Sequence, residues 1–458
     1  MGATLHTINL RLPADHLVHV INHAGDQVLL VDDNLWPLVE AVRGRLETVQ
    51  HFVIMGDGPL PETRIRPVHS YEELLANAPA GWSFPEDIDE WDEAGMCYSS
   101  ATTGMPKGVV YAHRAIYLHS MAACMVDSVG VSEKDTVMPV VPMFHVNAWG
   151  MPFAAVWMGA KQVLPGPQPT PAVLCELIQN EKVTLAAGVP TVWMGVLREM
   201  EQKRYDLSSI TRIACGGAAP PRALIEAYEQ KLGVPFLHAY GMTEAAPVTH
   251  VSITKSHLAG EDPDRRYARK AKQGLLMPGL EMRVVKEDGQ EVAWNGEEMG
   301  ELVLRGPWIA HEYYNDERSQ ATFRDGWYFT GDVATVDSEG YLHIVDRVKD
   351  LVKSGGEWIS TVDVENAIMA HPGVAEAAVV ACYHPKWQER PLACVVAKPE
   401  ARATITADEI RLFLKGRFAD WWIPDDVVFI DEVPKTSVGK FDKKVLRERF
   451  WNYLAQKV

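Results

Sequence analysis

Between residues 136 and 160 the chain carries no Asp, Glu, Lys or Arg. A run of that length can cross a bilayer, so it decides between a membrane protein and a buried core. Pro139, Pro142 and Pro152 interrupt it, and His145 and Asn147 sit in its middle. A lipid-exposed helix tolerates such breaks and polar groups poorly. The stretch therefore reads as a buried strand, a loop and a following core helix, with no transmembrane segment. The start "MGATLHTINLRLPADH" lacks a basic head followed by an apolar block, and reads as no signal peptide.

At 458 residues the chain is longer than one core usually serves, which predicts at least two domains. Short β-branched runs alternate with helical patterns, as in α/β layers. "DTVMPVVPMFH", "ITRIACGGAAPP" and "VPFLHAYGMTE" read as core strands ending in loops, and "PRALIEAYEQKLG" as a helix opened by proline and closed by glycine. After Gly279 the texture turns to short strands: "LEMRVVKEDGQEVAW" reads as two strands joined by an Asp288-Gly289 turn, followed by "GELVLRGP" and "GYLHIVDRV". From about Lys349 onward a compact α+β unit is predicted. "VDVENAIMAHPGV" puts Val364, Ala367 and Ile368 on one helical face, and "DEIRLFLKGRF" does so with Ile410, Phe413, Leu414 and Phe418. With 44 Lys plus Arg against 61 Asp plus Glu, the net charge of -17 argues against a nucleic-acid binder. Cys97, Cys124, Cys175, Cys215, Cys382 and Cys394 form no C-x-x-C pair and read as free thiols in a reducing, cytoplasmic compartment.

One loop concentrates chemistry. In "YSSATTGMPKGVVY" a strand ending at Tyr98 runs into hydroxyls, Gly104, Pro106 and Lys107. Backbone N–H groups, hydroxyls and an ammonium can there converge on one anion. The Walker A spacing is absent, and an ordinary polar turn fits the same residues.

The segment "SSATTGMPKG" resembles the phosphate loop of the adenylate-forming (AMP-binding) enzymes. The likeness continues in family order through "HAYGMTE", "GWYFTGD", "IVDRVKDLVKSGGEWIS" and "PKTSVGKFDKKVLRERF". Within the family, "GATLHTINLRLP", "PMFHVNAWG" and "KSGGEWIS" look most like the medium- and long-chain fatty-acyl-CoA synthetases and the 3-methylthiopropanoyl-CoA ligases.

The resemblance implies a large N-terminal domain of layered α/β subdomains plus a small β-rich subdomain (residues 1–348), followed by a mobile α+β domain (residues 349–458). It implies an ATP-dependent acyl-CoA synthetase with ATP, Mg²⁺ and coenzyme A as cofactors and a small-molecule acid as substrate. The acid becomes an acyl-adenylate with loss of pyrophosphate, and a thiol then takes the acyl group. Ser99, Ser100, Thr102, Thr103, Gly104 and Lys107 would hold phosphates, and Thr243 would touch the α-phosphate. Glu244 and Ser99 would bind the metal, a hard cation suited to oxygen donors. Ala218, His238, Ala239 and Tyr240 would enclose adenine, with Tyr240 stacking. Asp332 and Arg347 would meet the ribose, and Lys353 would add an adenylate contact. Lys440 would bridge the carboxylate and the α-phosphate. Lys349 would be the hinge between domains, also close to the nucleotide. Gly355, Gly356 and Trp358 would face coenzyme A. His145, Val146, Trp149, Gly216 and Gly217 would line the acyl pocket. Lys443, Lys444 and Arg447 would meet coenzyme A phosphates or form a solvated basic face.

Taken singly, each residue has a plainer reading: Glu244 a surface carboxylate, Asp332 a cap or turn residue, Lys440 a surface lysine, Trp149 a core tryptophan. The family carries on the order of 80 further residues before the phosphate loop. An internal start, a cut chain and a natural shortening each account for that, and in some relatives this part supplies the contacts of a homodimer. Ala101 stands where the loop usually has glycine. Two other functions compete: an acyl-adenylate ligase loading a carrier protein, and a non-catalytic adenylate-binding remnant.

Overall fold

The computed structural model describes residues 2–65, 67–99, 105–167, 169–355, 357–435 and 441–457. The uncharged stretch folds in the expected order: strand Thr136–Pro139, a loop, and helix Met151–Met158 with Met151, Ala154 and Ala155 buried. Among the described residues no helix is long and apolar enough to cross a membrane.

That strand belongs to a seven-stranded sheet. Its central strands Thr136–Pro139, Leu185–Gly188, Arg212–Cys215 and Phe236–Gly241 run parallel. Every residue of Leu185–Gly188 is buried, as a parallel strand covered on both faces requires. Helices Pro171–Glu181 and Pro190–Gln202 supply part of the cover, through Ile178 and Trp193. The predicted helix at "PRALIEAYEQKLG" is α-helical only over Arg222–Glu226 and continues as a π turn, Ala227–Lys231. That wider turn holds Tyr228 where its hydroxyl donates to the Trp193 carbonyl at 2.8 Å. Strand Phe236–Gly241 then doubles back on Val248–Val251. A Cβ at Gly241 would lie 2.1 Å from the Pro247 carbonyl oxygen, so only glycine fits this return.

A five-stranded antiparallel sheet follows, from Glu281–Val285, Gly300–Arg305, Phe323–Arg324, Trp327–Val336 and Leu342–Arg347. The expected second strand of "LEMRVVKEDGQEVAW" is reduced to one bridge, Val285 to Glu291. The chain leaves the edge there because Gly296 is drawn to the far end of the sheet, its N–H donating to the Val336 carbonyl at 2.9 Å.

Residues beyond 350 form another five-stranded sheet, with helices Thr361–Met369, Ala407–Leu414 and Lys443–Phe450. The predicted helix at "DEIRLFLKGRF" stops at Leu414, before Gly416 at φ 77°. Phe418 instead stacks on Trp422, ring centroids 5.7 Å apart. The buried apolar clusters of this part are its own. The seam with the preceding sheet is polar: the Ser360 hydroxyl donates to the Val345 carbonyl (2.8 Å), and the Asp346 carboxylate accepts the Thr361 N–H (3.0 Å) and hydroxyl. All six cysteines are free, and all but Cys124 are buried.

Candidate active site

Strand register places the first pair of charges. Trp327–Val336 and Leu342–Arg347 pair antiparallel with Asp332 opposite Arg347, and the Arg347 Nε lies 3.2 Å from Asp332 Oδ1. The Tyr240 hydroxyl, at the end of its parallel strand, donates to Asp332 Oδ2. Burial and this carboxylate push the Tyr240 phenol far up, so it stays a donor. Asp332 in turn raises the Arg347 guanidinium further. The end of the Tyr240 strand thus meets a buried carboxylate in the middle of Trp327–Val336, already flanked by a cation and a phenol.

The second group gathers at the phosphate loop. Strand Glu93–Tyr98 leads in and Gly108–Ala112 leads out. The base closes where the Ser99 N–H donates to the Lys107 carbonyl (2.9 Å) and the Lys107 N–H to Ser99 Oγ (3.2 Å). Lys107 Nζ sits 3.8 Å from the Tyr313 ring centroid, a cation–π contact. The Tyr313 hydroxyl donates to Glu244 Oε1 at 2.7 Å. Thr243 and Glu244 lie on a buried 3-10 turn, Thr243–Ala245, whose Thr243 carbonyl accepts the Tyr111 hydroxyl at 2.8 Å. Burial draws the Lys107 ammonium down, and Glu244 is the largest influence pulling it back. The two groups adjoin: the buried Tyr328 phenol is driven up by desolvation first, then by both Glu244 and Asp332.

The acyl side is built differently. Val146, Asn147, Ala148, Trp149 and Gly150 have φ of 50, 51, 52, 60 and 69°, a left-handed turn made mostly of non-glycine residues. Each such residue costs roughly 1–2 kcal/mol. Side chains hold it: the Asn147 amide donates to Thr7 Oγ1 (3.2 Å), and its Oδ1 lies 3.6 Å from Cys97 Sγ. At its end, a Cβ on Gly150 would meet the His119 ring at 2.9 Å. His119 is neutral, its pKa pushed down to about 4 by burial, and its Nε2 accepts the Val248 N–H at 3.1 Å. The turn lays Trp149 over two glycines: a Cβ on Gly216 would reach its ring at 3.2 Å, and one on Gly217 at 3.7 Å. Trp149, Gly216 and Gly217 are therefore brought together, with Val146 buried beneath and His145 half-buried.

The other expected residues have the following surroundings. The His238 imidazole is buried and paired with the Ala271 carbonyl (3.0 Å), its pKa pushed down to about 4, and its own carbonyl accepts the Ser252 N–H. It belongs to the same strand as Tyr240. Ala239 is buried beside it, while Ala218 is exposed. Lys353 reaches Glu287 (3.4 Å) and lies over Trp358 (5.4 Å). Gly355, at φ 60°, packs under Trp387, where a Cβ would meet the ring at 3.0 Å. Lys349 lies beside Arg347 and is drawn down mainly by burial. Lys443 is buried against Glu365 (2.7 Å) and the Thr361 hydroxyl (2.6 Å), so it cannot meet coenzyme A phosphates. Arg447 is tied to the Lys349 carbonyl and Asp350, and Lys444 faces Glu448 at 3.8 Å. Ser100, Thr102, Thr103, Gly104, Gly356 and Lys440 lie outside the described residues. Reading the sequence passed over Tyr313, Tyr111, Asn147 and His119, whose partners are 50 or more positions away in the chain and leave no local pattern.

Glu244 is a buried carboxylate that accepts a hydrogen bond from the neutral Tyr313 phenol, so its charge invites a hard cation, and oxygen donors suit magnesium. Comparison with known proteins agrees in kind. The model of the AMP-binding enzymes matches residues 1–314, and that of the AMP-binding enzyme C-terminal domain matches residues 363–440. The chain is 50% identical to a long-chain-fatty-acid–CoA ligase of Thermus thermophilus, over 99% of this chain and 82% of that protein. It is 43% identical to a 3-methylmercaptopropionyl-CoA ligase of Ruegeria pomeroyi, over 99% and 84%. The o-succinylbenzoate coenzyme A synthetase of Bacillus subtilis, solved with ATP and magnesium ion, superposes with a TM-score of 0.78 at 26% identity, covering 96% of this chain and 83% of that one.

Proposed function

The chain belongs to the AMP-binding enzymes, has the adenylate-forming fold and is an AMP-forming acyl-CoA ligase using ATP and coenzyme A; from that premise we propose that its acid is an apolar or thioether carboxylic acid, activated at the site of Lys107, Glu244 and Asp332. The observation that carries this is the convergence of the two charged groups, Lys107–Tyr313–Glu244 and Tyr240–Asp332–Arg347, around Tyr328.

Asp332, flanked by Arg347, accepts the ribose hydroxyls, as an ionised carboxylate does well. Tyr240 offers its ring to adenine while its hydroxyl steadies Asp332. Lys107, Ser99 and the loop residues Ser100, Thr102, Thr103 and Gly104 hold the outer phosphates, and Thr243 meets the α-phosphate. Glu244 with Ser99 would hold Mg²⁺, which supplies charge neutralisation when an anion approaches a polyanion. Lys440 would bridge carboxylate and α-phosphate and lower the barrier by placing positive charge where negative charge develops. Trp149 over Gly216 and Gly217 offers an apolar floor without a charged partner, which suits an alkyl or thioether chain. Residues 349–458 turn as a unit about Lys349, bringing Gly355, Gly356 and Trp358 to the thiol. The free cysteines suit a cytoplasmic setting, and a homodimer is part of the same reading, checked by sedimentation.

ATP–pyrophosphate exchange with a panel of propionate-like, thioether, medium and long acids, followed by thioester formation with free coenzyme A, tests the whole. Exchange without a coenzyme A thioester would instead indicate carrier loading, and binding without exchange a remnant. Lys440→Ala is expected to slow adenylate formation by about 10²–10³-fold and spare thioester formation from supplied acyl-adenylate. Equal loss in both steps would remove Lys440 from its assigned role.

A further inference from the structure

Residues 306–314 bridge the two charged parts of the phosphate side. The Ala310 N–H donates to the Glu244 carbonyl at 2.8 Å, and the Tyr314 N–H to the Gly108 carbonyl, next to Lys107, at 2.9 Å. Tyr313 lies between these ties and is 2% exposed. Its N–H donates to Ser319 Oγ at 2.9 Å, and its ring packs edge-on to Phe323 at 5.2 Å. The side chain is thus fixed, with Lys107 Nζ on its face and Glu244 Oε1 on its hydroxyl.

A half-buried lysine and a buried glutamate that contact the same tyrosine attract each other and would collapse into a pair. The ammonium would then be lost to phosphate and the carboxylate to a cation. A phenol satisfies both without neutralising either: the ring face is a weak, readily exchanged seat for an ammonium, and the hydroxyl donates to one carboxylate oxygen without carrying charge. We propose that Tyr313 is a positioning residue that holds Lys107 and Glu244 apart and aimed, so that the site is arranged in advance for a magnesium–nucleotide complex. This rests on the reading of Glu244 as the metal carboxylate.

The test measures binding of ATP with Mn²⁺ by electron paramagnetic resonance, and thioester formation from supplied acyl-adenylate, in Tyr313→Phe, Glu244→Gln and the double variant. Tyr313→Phe keeps the ring under Lys107 and releases Glu244. It is expected to weaken metal–nucleotide binding about tenfold, the weight of one hydrogen bond to a charged group. The double variant is expected to bind no more weakly than Glu244→Gln, and thioester formation is expected to be unchanged in Tyr313→Phe. Wild-type binding in Tyr313→Phe, or a loss that adds in full to that of Glu244→Gln, overturns the spacer role. Wild-type binding in Glu244→Gln removes Glu244 from the metal, a separate failure. Phe323→Leu loosens the packing of the ring and leaves the hydroxyl. It is expected to lower Tm but bind within about twofold of wild type, an ordinary packing effect. If it reproduces the tenfold loss, Tyr313 is packing only. Should Tyr313→Phe not fold, a fluorotyrosine at 313 keeps the shape and changes donor strength, and unchanged binding there also overturns the proposal.

Discussion

On the nucleotide side, Asp332 is placed by its pairing with Arg347 beside a bulge at Val333–Ala334, and the positive φ next to it, 72°, falls on Gly331, where it costs little. On the acyl side, Trp149 is carried by a left-handed turn that its own residue types disfavour, held by Thr7, Cys97 and the close approach of His119. The contrast is between a site half that geometry provides without strain and one that packing must enforce. The first suits an invariant ligand such as a nucleotide. The second stores conformational energy where a variable acyl chain must be admitted, which is where strain is commonly kept.

Acid should undo the comparison most strongly, because buried neutral imidazoles back both halves. His238 and His250 stand behind the nucleotide side, with pKa values pushed down to about 4 and about 3, and His119 behind the acyl turn at about 4. The folded value is below the unfolded value of about 6.5, so unfolding takes up protons as pH falls. Their stabilising contribution is complete above pH 6.5 and is lost as pH falls to about 4 for His238 and His119 and about 3 for His250, by roughly 3 to 5 kcal/mol for each group. Denaturant melts at pH 7.5 and pH 5 should differ by several kcal/mol, and equal midpoints would show that these imidazoles are not buried neutral.

Asp332→Ala tests the nucleotide half alone. It strands the half-exposed Arg347, removes the acceptor of Tyr240 and takes away the carboxylate proposed for the ribose hydroxyls; at about 1.5–3 kcal/mol for a hydrogen bond to a charged group, ATP should bind on the order of 100-fold more weakly by calorimetry. Acyl-adenylate hydrolysis or transfer that shifts acid preference instead would blur the division. Gly216→Ala probes the boundary. Its Cβ would fall 2.4 Å from the Ala239 carbonyl oxygen, one residue before Tyr240. We expect a loss of about 1–3 kcal/mol in thermal unfolding and a measurable change in ATP affinity. Unaltered ATP binding would mean the halves are mechanically separate. The smallest effect is expected for Ala148→Gly. In a right-handed helix this exchange costs about 1 kcal/mol. At φ 52° glycine is relieved of strain, which offsets the lost methyl, and Tm should stay close to wild type. A full helical penalty would show that the turn carries no strain.

The same contrast explains what could be read in advance. Strands with β-branched runs and the clustered hydroxyls of the phosphate loop announce themselves locally, and the α/β order and Lys107 followed from them, whereas Asp332 and Glu244 were read only through the resemblance of "GWYFTGD" and "HAYGMTE" to the AMP-binding enzymes, since singly each passes for a turn or surface carboxylate. Tyr313 was invisible because its task is to touch Glu244, 69 positions earlier in the chain. The left-handed turn was invisible because nothing about Val146, Ala148 or Trp149 favours φ above zero. The basic run Lys443, Lys444 and Arg447 misled because charge alone does not tell a solvated face from a buried network. Glu365 is what turns Lys443 inward.

The seam at Asp346 and Thr361 joins its two flanks through carboxylate, hydroxyl and carbonyl, and among the described residues no buried apolar cluster spans it. Contacts of that kind can be exchanged for water one at a time. A large swing of the tail would then ask little of either interior, and an accelerated off-and-on of the tail in dilute denaturant should precede the melting of both.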